Sequence, residues 1–376
     1  MMKTKKVMHL TYTLDTGGAE RVIANYAKFH DKNKYMPILC AIKGGGFIAQ
    51  QVSSMGIKVY LYHKSLGFDI KTVSFVRDIL QKEGIDIIHV HNPNPNHYAI
   101  LSKFFTQTKF IVRTEHNIFR TGRVVPGYPI FNSFLGLFNQ KIIGVSNMVV
   151  QSHKRKDPLN RGKYVTIYNG IEDQISQDAT VNEIKKDLNI PVNKAIVGLV
   201  ANIHRQKAVD IFLKAAKRVL ANFPNTYFVI IGDGIERANM EELSRTLHIE
   251  KNVIFTGHRE DAAILMQCMD IFTLSSLWEG FPITILEAMR VGIPCVVTDV
   301  GGNREAVTDG ITGFVVPPQR PDLLAEKISF LLGNPNRARD MGSAGKLRFL
   351  ENFTAKNMVE KTEQIYSEIL ALDSHG

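Results

Sequence analysis

The stretch Ile271-Phe272-Thr273-Leu274-Ser275-Ser276-Leu277-Trp278-Glu279-Gly280-Phe281-Pro282-Ile283-Thr284-Ile285-Leu286-Glu287 reads as a buried strand, a polar turn and the start of a helix. Four apolar or β-branched residues, Ile271–Leu274, make the strand. Gly280 permits a sharp turn, and Pro282 suits the first position of a helix because its missing N–H has no partner there anyway. Gly292 and Pro294 end that helix. Glu287 lies four residues after Ile283 and three after Thr284, so the three share a helical face. Two carboxylates, Glu279 and Glu287, therefore flank a helix N-terminus whose free amides favour an anion. A carboxylate beside a phosphate is electrostatically awkward, so Glu287 reads as an acceptor for hydroxyl donors, ribose hydroxyls first among them. The bland alternative makes Glu279 a loop cap and Glu287 a surface charge.

The same strand–loop–helix unit recurs in both directions. Upstream, apolar runs at Lys6–Leu14, Met36–Ile42, Ile57–Tyr62, Ile85–His91, Phe110–Arg113, Lys141–Val145 and Tyr164–Tyr168 alternate with helical patterns such as Ala19–His30. Around the opening stretch lie Ala195–Val200, Tyr227–Ile231, Val253–Thr256, Pro294–Thr298 and Gly313–Val316. Alternating βα units predict parallel sheets covered on both faces. Two series predict an α/β protein of two doubly wound, Rossmann-like domains. The polar run from Glu172 and the Pro191–Lys194 segment mark the boundary, with a helix at Asn182–Asn189 between them. The expected domains are 1–175 and 176–350, followed by a helix in 351–376 for which a return to the first domain is one option.

Length and composition agree. The chain has 376 residues, 44% hydrophobic and 22% charged, as in an ordinary folded protein of two domains. Cys40, Cys268 and Cys295 are far apart and lack metal-ligand spacing, which favours a reduced, cytoplasmic setting over a disulfide scaffold. No apolar run approaches the ~20 residues that span a bilayer. Met1–Lys6 resembles the start of a signal peptide, but Val7–Leu14 is too polar to continue one and reads as a first strand. The net charge of +10 is unevenly held: residues 1–175 carry 24 Lys/Arg against 11 Asp/Glu, and residues 176–376 carry 22 against 25. Within 101–165 the count is 11 against 2. One half thus faces something anionic, unless the charge serves solubility alone. The apolar Val124–Gln140 segment, between Arg123 and Lys141, reads either as a core helix or as a segment near a membrane.

In open α/β sheets ligands bind beyond the carboxyl ends of the strands, and the unusual residues cluster there. Gly17 and Gly18 open a helix after the first strand, which suits a diphosphate, although a ligand-free tight turn uses the same residues. Gly44-Gly45-Gly46 reads as a flexible loop. Thr114-Glu115-His116-Asn117 closes a strand and could hydrogen-bond a sugar hydroxyl. His89 and His91 share a strand face, and with His97 they raise the question of a metal. No carboxylate or cysteine completes a ligand set, so a structural role is the reading. Arg205 and Lys207, beyond the strand ending at Val200, can neutralise a phosphate or can be two solvated side chains.

Glu279 and Glu287 stand in an E-x7-E pattern, and Trp278–Pro282 with Leu286-Glu287-Ala288 is similar to the signature of the family-4 glycosyltransferases. Gly17–Glu20, Thr114–Asn117, Tyr168–Ile171, Ile231–Gly234, Phe255–Gly257, Gly301–Glu305 and Gly310–Gly313 match in order, so the resemblance covers nearly the whole chain. It implies the GT-B fold, two Rossmann-like domains facing across a cleft, and retaining transfer from a nucleotide-sugar without a metal or other cofactor. No Asp-x-Asp occurs in the chain, in keeping with that last implication. The resemblance places Gly17 and Gly18 over the donor diphosphate and His116 against the donor sugar. Glu279 would hold the sugar or assist its developing charge. The amides of Phe281, Ile283 and Thr284 beside Gly280 and Pro282 would meet the phosphates, and Glu287 the ribose. Gly232, Thr256 and Gly257 fall in matching motifs on the nucleotide side. One departure is Ala201-Asn202, where the family commonly has Gly-Arg. Lys207 matches the family lysine, and the arginine's role is vacant unless Arg205 folds back to fill it.

The expected activity is transfer from a nucleotide-sugar, a UDP-sugar first, to a glycan or lipid-linked acceptor in bacterial-type surface polysaccharide synthesis. The basic first domain would serve as the acceptor side, at an anionic inner membrane face. The competing readings are a GT-B nucleotide-sugar epimerase, a silent paired subunit suggested by Asn202, and a basic nucleic-acid-binding protein. The last lacks aromatics interleaved with its cations at any recognised module spacing, and no nucleic-acid partner is expected.

Overall fold

The computed structural model describes residues 4–119, 127–174 and 180–372. It divides into two compact units, residues 1–171 with 355–376, and residues 172–354. The sequence reading put the boundaries at 175 and 350. The chain crosses between Ile171 and Glu172 and again between Thr354 and Ala355.

The first unit holds seven parallel strands: β1 (Lys5–Thr11), β2 (Tyr35–Ala41), β3 (Lys58–Leu61), β4 (Ile87–His91), β5 (Phe110–Glu115), β6 (Lys141–Gly144) and β7 (Tyr164–Thr166). Their order is β3-β2-β1-β4-β5-β6-β7. Burial explains the apolar runs. Met8, Leu10, Ile38, Ile88, Val90 and Ile111 pack beneath Val73, Val76, Ile79 and Leu80 of the helix Ile70–Glu83. Leu39 and Ala41 pack on the other face with Ile23, Ala27 and Val52. The last helix, Ala355–Ala371, belongs to this unit and lies against the helix Gly18–Phe29, where the Thr362 hydroxyl donates to Tyr26 Oη at 3.4 Å. The Ala355 amide donates to the Ile171 carbonyl at 2.7 Å, so the outgoing and returning chain are bonded together.

The second unit holds six parallel strands: β8 (Ile196–Val200), β9 (Tyr227–Ile231), β10 (Val253–Gly257), β11 (Ile271–Leu274), β12 (Cys295–Thr298) and β13 (Gly313–Val316), in the order β10-β9-β8-β11-β12-β13. Phe212 and Val219 of the helix Val209–Leu220 and Leu324 and Ile328 of the helix Pro321–Gly333 cover one face. In each sheet the order reverses beside the first strand, between β1 and β4 and between β8 and β11. These reversals open the ligand crevices of doubly wound sheets.

Three local expectations are corrected. Gly44–Gly46 is packed: Gly45 bridges Leu14, and a Cβ on Gly46 would strike the Asp15 side chain. Pro282 is the N-cap, with extended backbone, and the helix begins at Ile283. The Asn182–Asn189 helix is Val181–Asp187, started by a capping box in which Thr180 and Glu183 bond each other's backbone amides.

The helix Tyr128–Gly136 is inverted over its first turns, and the core reading of this segment holds only for Leu135 and Phe138, which pack against the core of the first unit. Asn132 and Ser133 are buried, while Ile130, Phe131 and Phe134 are 77%, 53% and 55% exposed. The cause lies beneath it. Arg113 on β5 is wholly buried, 2.9 Å from Glu115, and its Nη1 donates to Asn132 Oδ1 at 3.3 Å. A buried guanidinium requires polar partners, so the helix turns its polar face inward. Residues 124–126 of the apolar segment lie outside the described residues.

Candidate functional site

In the second unit the crevice between β8 and β11 brings together the two motifs that sequence placed 72 residues apart. Lys207 Nζ lies 2.5 Å from Glu279 Oε1. Ser276 Oγ donates to the same oxygen at 2.6 Å, and Gln206 Nε2 reaches Glu279 Oε2 at 3.4 Å. The two loops are also joined by backbone: the Leu277 amide donates to the Gln206 carbonyl at 2.8 Å, and Gln206 Nε2 to the Trp278 carbonyl at 2.9 Å. Ser275 Oγ donates to the Lys207 and Ala208 carbonyls at 2.9 and 3.0 Å. That anchors Ala208 in a left-handed conformation, φ 46°, which a non-glycine residue adopts only when its surroundings impose it. The result is a lysine held at a fixed point over a strand end. Gln206, Ser275 and Ser276 were not singled out by sequence, since an amide and two hydroxyls in a loop carry no periodic signal.

The helix Ile283–Val291 starts four residues after Glu279, and no side chain caps it. Its first amides and the buried hydroxyl of Thr284, which has no hydrogen-bond partner among the described residues, form a donor surface. Glu287 is buried one turn further on, on the face shared with Ile283 and Thr284. Gly280 is fixed by its carbonyl, which accepts from the Gly302 amide at 2.8 Å, and Phe281 packs on Phe353. Beyond β8, Asn202 is exposed and Arg205 is exposed at the start of the 3-10 turn Arg205–Lys207. Gly232, φ 137°, lies so near the Ala201 carbonyl that no side chain fits. Its amide donates to the Gly257 carbonyl at 2.9 Å, and Thr256 Oγ1 to the same carbonyl at 3.0 Å. All these residues stand at the carboxyl edge of the sheet.

In the first unit Gly17 is the N-cap of the helix Gly18–Phe29, with no side-chain cap. Glu20 folds back over it, accepting from Thr13 Oγ1 at 2.9 Å. His116 follows β5, and its amide donates to Asn92 Oδ1 at 3.1 Å. The ring is 6% exposed, and burial pulls its pKa down to about 4, so it is neutral. Nε2 bonds His91 at 3.0 Å, and Nδ1 is buried without a partner among the described residues. His97 is separate from the other histidines, edge-on to Phe131.

Two Rossmann-like units with polar groups gathered at their strand reversals define a GT-B glycosyltransferase architecture. The model for "Glycosyltransferase Family 4" matches residues 16–175, and that for "Glycosyl transferases group 1" matches residues 180–348. The chain belongs to the family-4 glycosyltransferases, enzymes of hexosyl type. It is 28% identical over 315 residues to the N-acetyl-alpha-D-glucosaminyl L-malate synthase of Bacillus anthracis, covering 82% of this chain and 81% of that one. It is 24% identical over 325 residues to the UDP-Gal:alpha-D-GlcNAc-diphosphoundecaprenol alpha-1,3-galactosyltransferase of Escherichia coli, covering 83% and 84%. Among solved structures it is similar to Anabaena HepE in complex with UDP, with a TM-score of 0.86 at 19% identity, covering 96% of this chain and all of that one. Among the described residues no helix is long and apolar enough to cross a membrane.

Proposed function

We propose that this chain is a retaining glycosyltransferase that moves a sugar from a UDP-sugar to a lipid-linked or glycan acceptor of a surface polysaccharide. The observation that carries the reading is the Lys207–Glu279 pair beside the uncapped start of the helix Ile283–Val291. As the bond between the sugar C1 and the diphosphate breaks, the diphosphate keeps the electron pair. Lys207 and the first helix amides meet the charge that develops, with Arg205 as a second cation, and such preorganised donors act with little reorganisation. Glu287 accepts from the ribose hydroxyls. Gly17 and Gly18 cover the diphosphate, and His116 meets the sugar. The acceptor oxygen bonds C1 on the face the diphosphate leaves, and its proton passes to a leaving phosphate oxygen.

Glu279 holds Lys207 and a sugar hydroxyl in this scheme and does not attack C1. A carboxylate that accepts from a lysine, a serine and a glutamine has three of its about four acceptor sites engaged, leaving one for the sugar hydroxyl, which lowers its nucleophilicity and favours same-face transfer over a double displacement. No residue in this scheme calls for a metal. A panel of UDP- and GDP-sugars tests the reading by thermal shift, followed by NMR of the product anomer. Stabilisation by a UDP-sugar and a product with the donor's anomeric configuration are expected. An inverted product would refute retention, and no stabilisation by any nucleotide-sugar would count against the whole scheme.

The acceptor side rests on the inverted helix. Phe134 packs edge-on to Phe138 and Phe138 edge-on to Phe104, forming an aromatic row that runs out to exposed Ile130, Phe131 and Phe105. Residues 101–165, the stretch of sequence that holds it, carry 11 cations against 2 carboxylates. An exposed apolar face in so basic a stretch of chain fits an anionic bilayer, as a lipid-linked acceptor at the inner membrane face requires.

A further inference from the structure

Five buried ionisable side chains form one hydrogen-bonded row through the first unit, each from a different element. Glu363 of the last helix lies 3.0 Å from His30 Nδ1 at the end of the helix Gly18–Phe29. His30 Nε2 is 3.0 Å from His9 Nε2 on β1, and His9 Nδ1 is 3.1 Å from His91 Nε2 on β4. His91 Nδ1 is 3.0 Å from His116 Nε2. His9 and His91 are fully buried, and no ring in the row is more than 6% exposed. The far end of the row, Glu363, borders a surface hollow of about 810 Å³ lined also by Asp31, Lys34, Lys356 and Glu360.

Each N···N contact needs one proton and one lone pair, so the order of protons along the row is set at its anchored end. Glu363 is that anchor: its Oε1 also accepts the Asp31 amide at 2.8 Å, and a carboxylate only accepts. We propose that Glu363 is a positioning residue that fixes the tautomer of His116 through His30, His9 and His91, so that His116 presents a bare Nδ1 to a hydroxyl of the transferred sugar. His30 then donates from Nδ1, and His9, His91 and His116 each donate from Nε2 to the ring before them. Burial holds His9 and His91 well below the usual imidazole range and His116 at about 4, so each of these rings carries a single proton at neutral pH. The role of Nδ1 rests on the assignment of His116 to the sugar in the scheme above; the proton order itself does not.

A metal is the competing use of this cluster. Ligand nitrogens of His9, His89 and His91 lie within 4.8 Å of one another. Every one of those ring nitrogens is already bonded, however. His89 is held between Thr114 Oγ1 at 2.7 Å and the Tyr366 hydroxyl, and the nitrogens of His9 and His91 are taken by the row. At least two hydrogen bonds, the His9–His91 contact and one of the two at His89, would have to break to free a ligand set.

The test reads ¹⁵N histidine shifts of the full-length protein at neutral pH, with signals assigned through single His→Gln variants, beside its metal content. Wild type is expected to show His30 protonated at Nδ1 and His116 at Nε2, with no stoichiometric metal. Glu363→Ala is expected to mix the His116 tautomers and lower kcat about 10–10²-fold, the range for loss of an outer-shell orienting group. Affinity for free UDP, which lacks the sugar, stays as in wild type. Glu363→Gln restores the order, because its amide oxygen still accepts from His30. A wild-type His116 protonated at Nδ1, a His116 signal indifferent to Glu363→Ala, or zinc at one per chain would each overturn the proposal. The wild-type spectrum decides even if a variant fails to fold. It needs no substrate, so a failure of the transferase reading would leave it interpretable, and intact UDP-sugar turnover with the wrong tautomer would sink the proposal alone.

Discussion

Lys207 and Glu279 form a partly shielded pair in which the lysine side chain keeps 18% of its exposure and the glutamate 6%. Removing the cation leaves a buried carboxylate with neutral donors only, which costs more than a surface pair would. Lys207→Ala is therefore expected to lower the melting temperature and to cut kcat by about 10²–10³, the loss found when one preorganised donor is removed. Single-turnover rates and thermal melts check both. Sequence spacing showed each partner but not the pairing, because contacts across 72 residues follow from strand order. His9 was hidden in the same way: it reads as one polar residue in an apolar run until β1 and β4 register it opposite His89. These buried imidazoles also set an acid response. His9, His89, His91 and His116 take up protons in the unfolded chain near pH 6.5 but resist them when folded. Between about pH 6.5 and 4 the unfolded state binds more protons, so stability falls as pH falls through that window. His116 alone accounts for on the order of 3 kcal/mol. Melts from pH 8 to 4 should show that fall, shallower in His116→Asn.

At the scale of elements, the thirteen strands among the described residues follow from apolar runs bounded by turns, because a parallel strand, buried on both faces in the middle of each sheet, advertises itself without regard to its neighbours. The helix Tyr128–Gly136 did not, since hydrophobicity alone cannot tell an inward face from an outward one. Its orientation was decided by Arg113, a residue on another element. Its outward aromatics make a direct expectation. The protein should float with vesicles rich in anionic lipid and lose that binding as salt rises, and Phe131→Ser with Phe134→Ser should abolish it while raising solubility. Equal recovery with neutral vesicles, or binding unaffected by the double substitution, would rule out this face as the membrane contact.

Across the whole molecule, the asymmetry of charge tracks the division into units, with the excess of cations in the first and a slight excess of carboxylates in the second. The acceptor-facing role proposed for the first unit gives that division a physical sense: cations are many where a bilayer would lie and only two, Lys207 and Arg205, where a diphosphate would sit. The final helix gives the chain a temporal order as well. Residues 172–354 are inserted between the seventh strand of the first unit and the helix that completes it. A ribosome adding about 5–20 residues each second has roughly 190 still to make after Ile171 before it reaches Glu363, some 10–40 s. Through that interval the chain of the second unit is being made, while the first waits with His9, His30, His89 and His91 lacking Glu363 and Tyr366. The histidine row is thus the last part of the first unit to be sealed, and a transcript cut short before Ala355 would yield the whole of the second unit joined to an unfinished first.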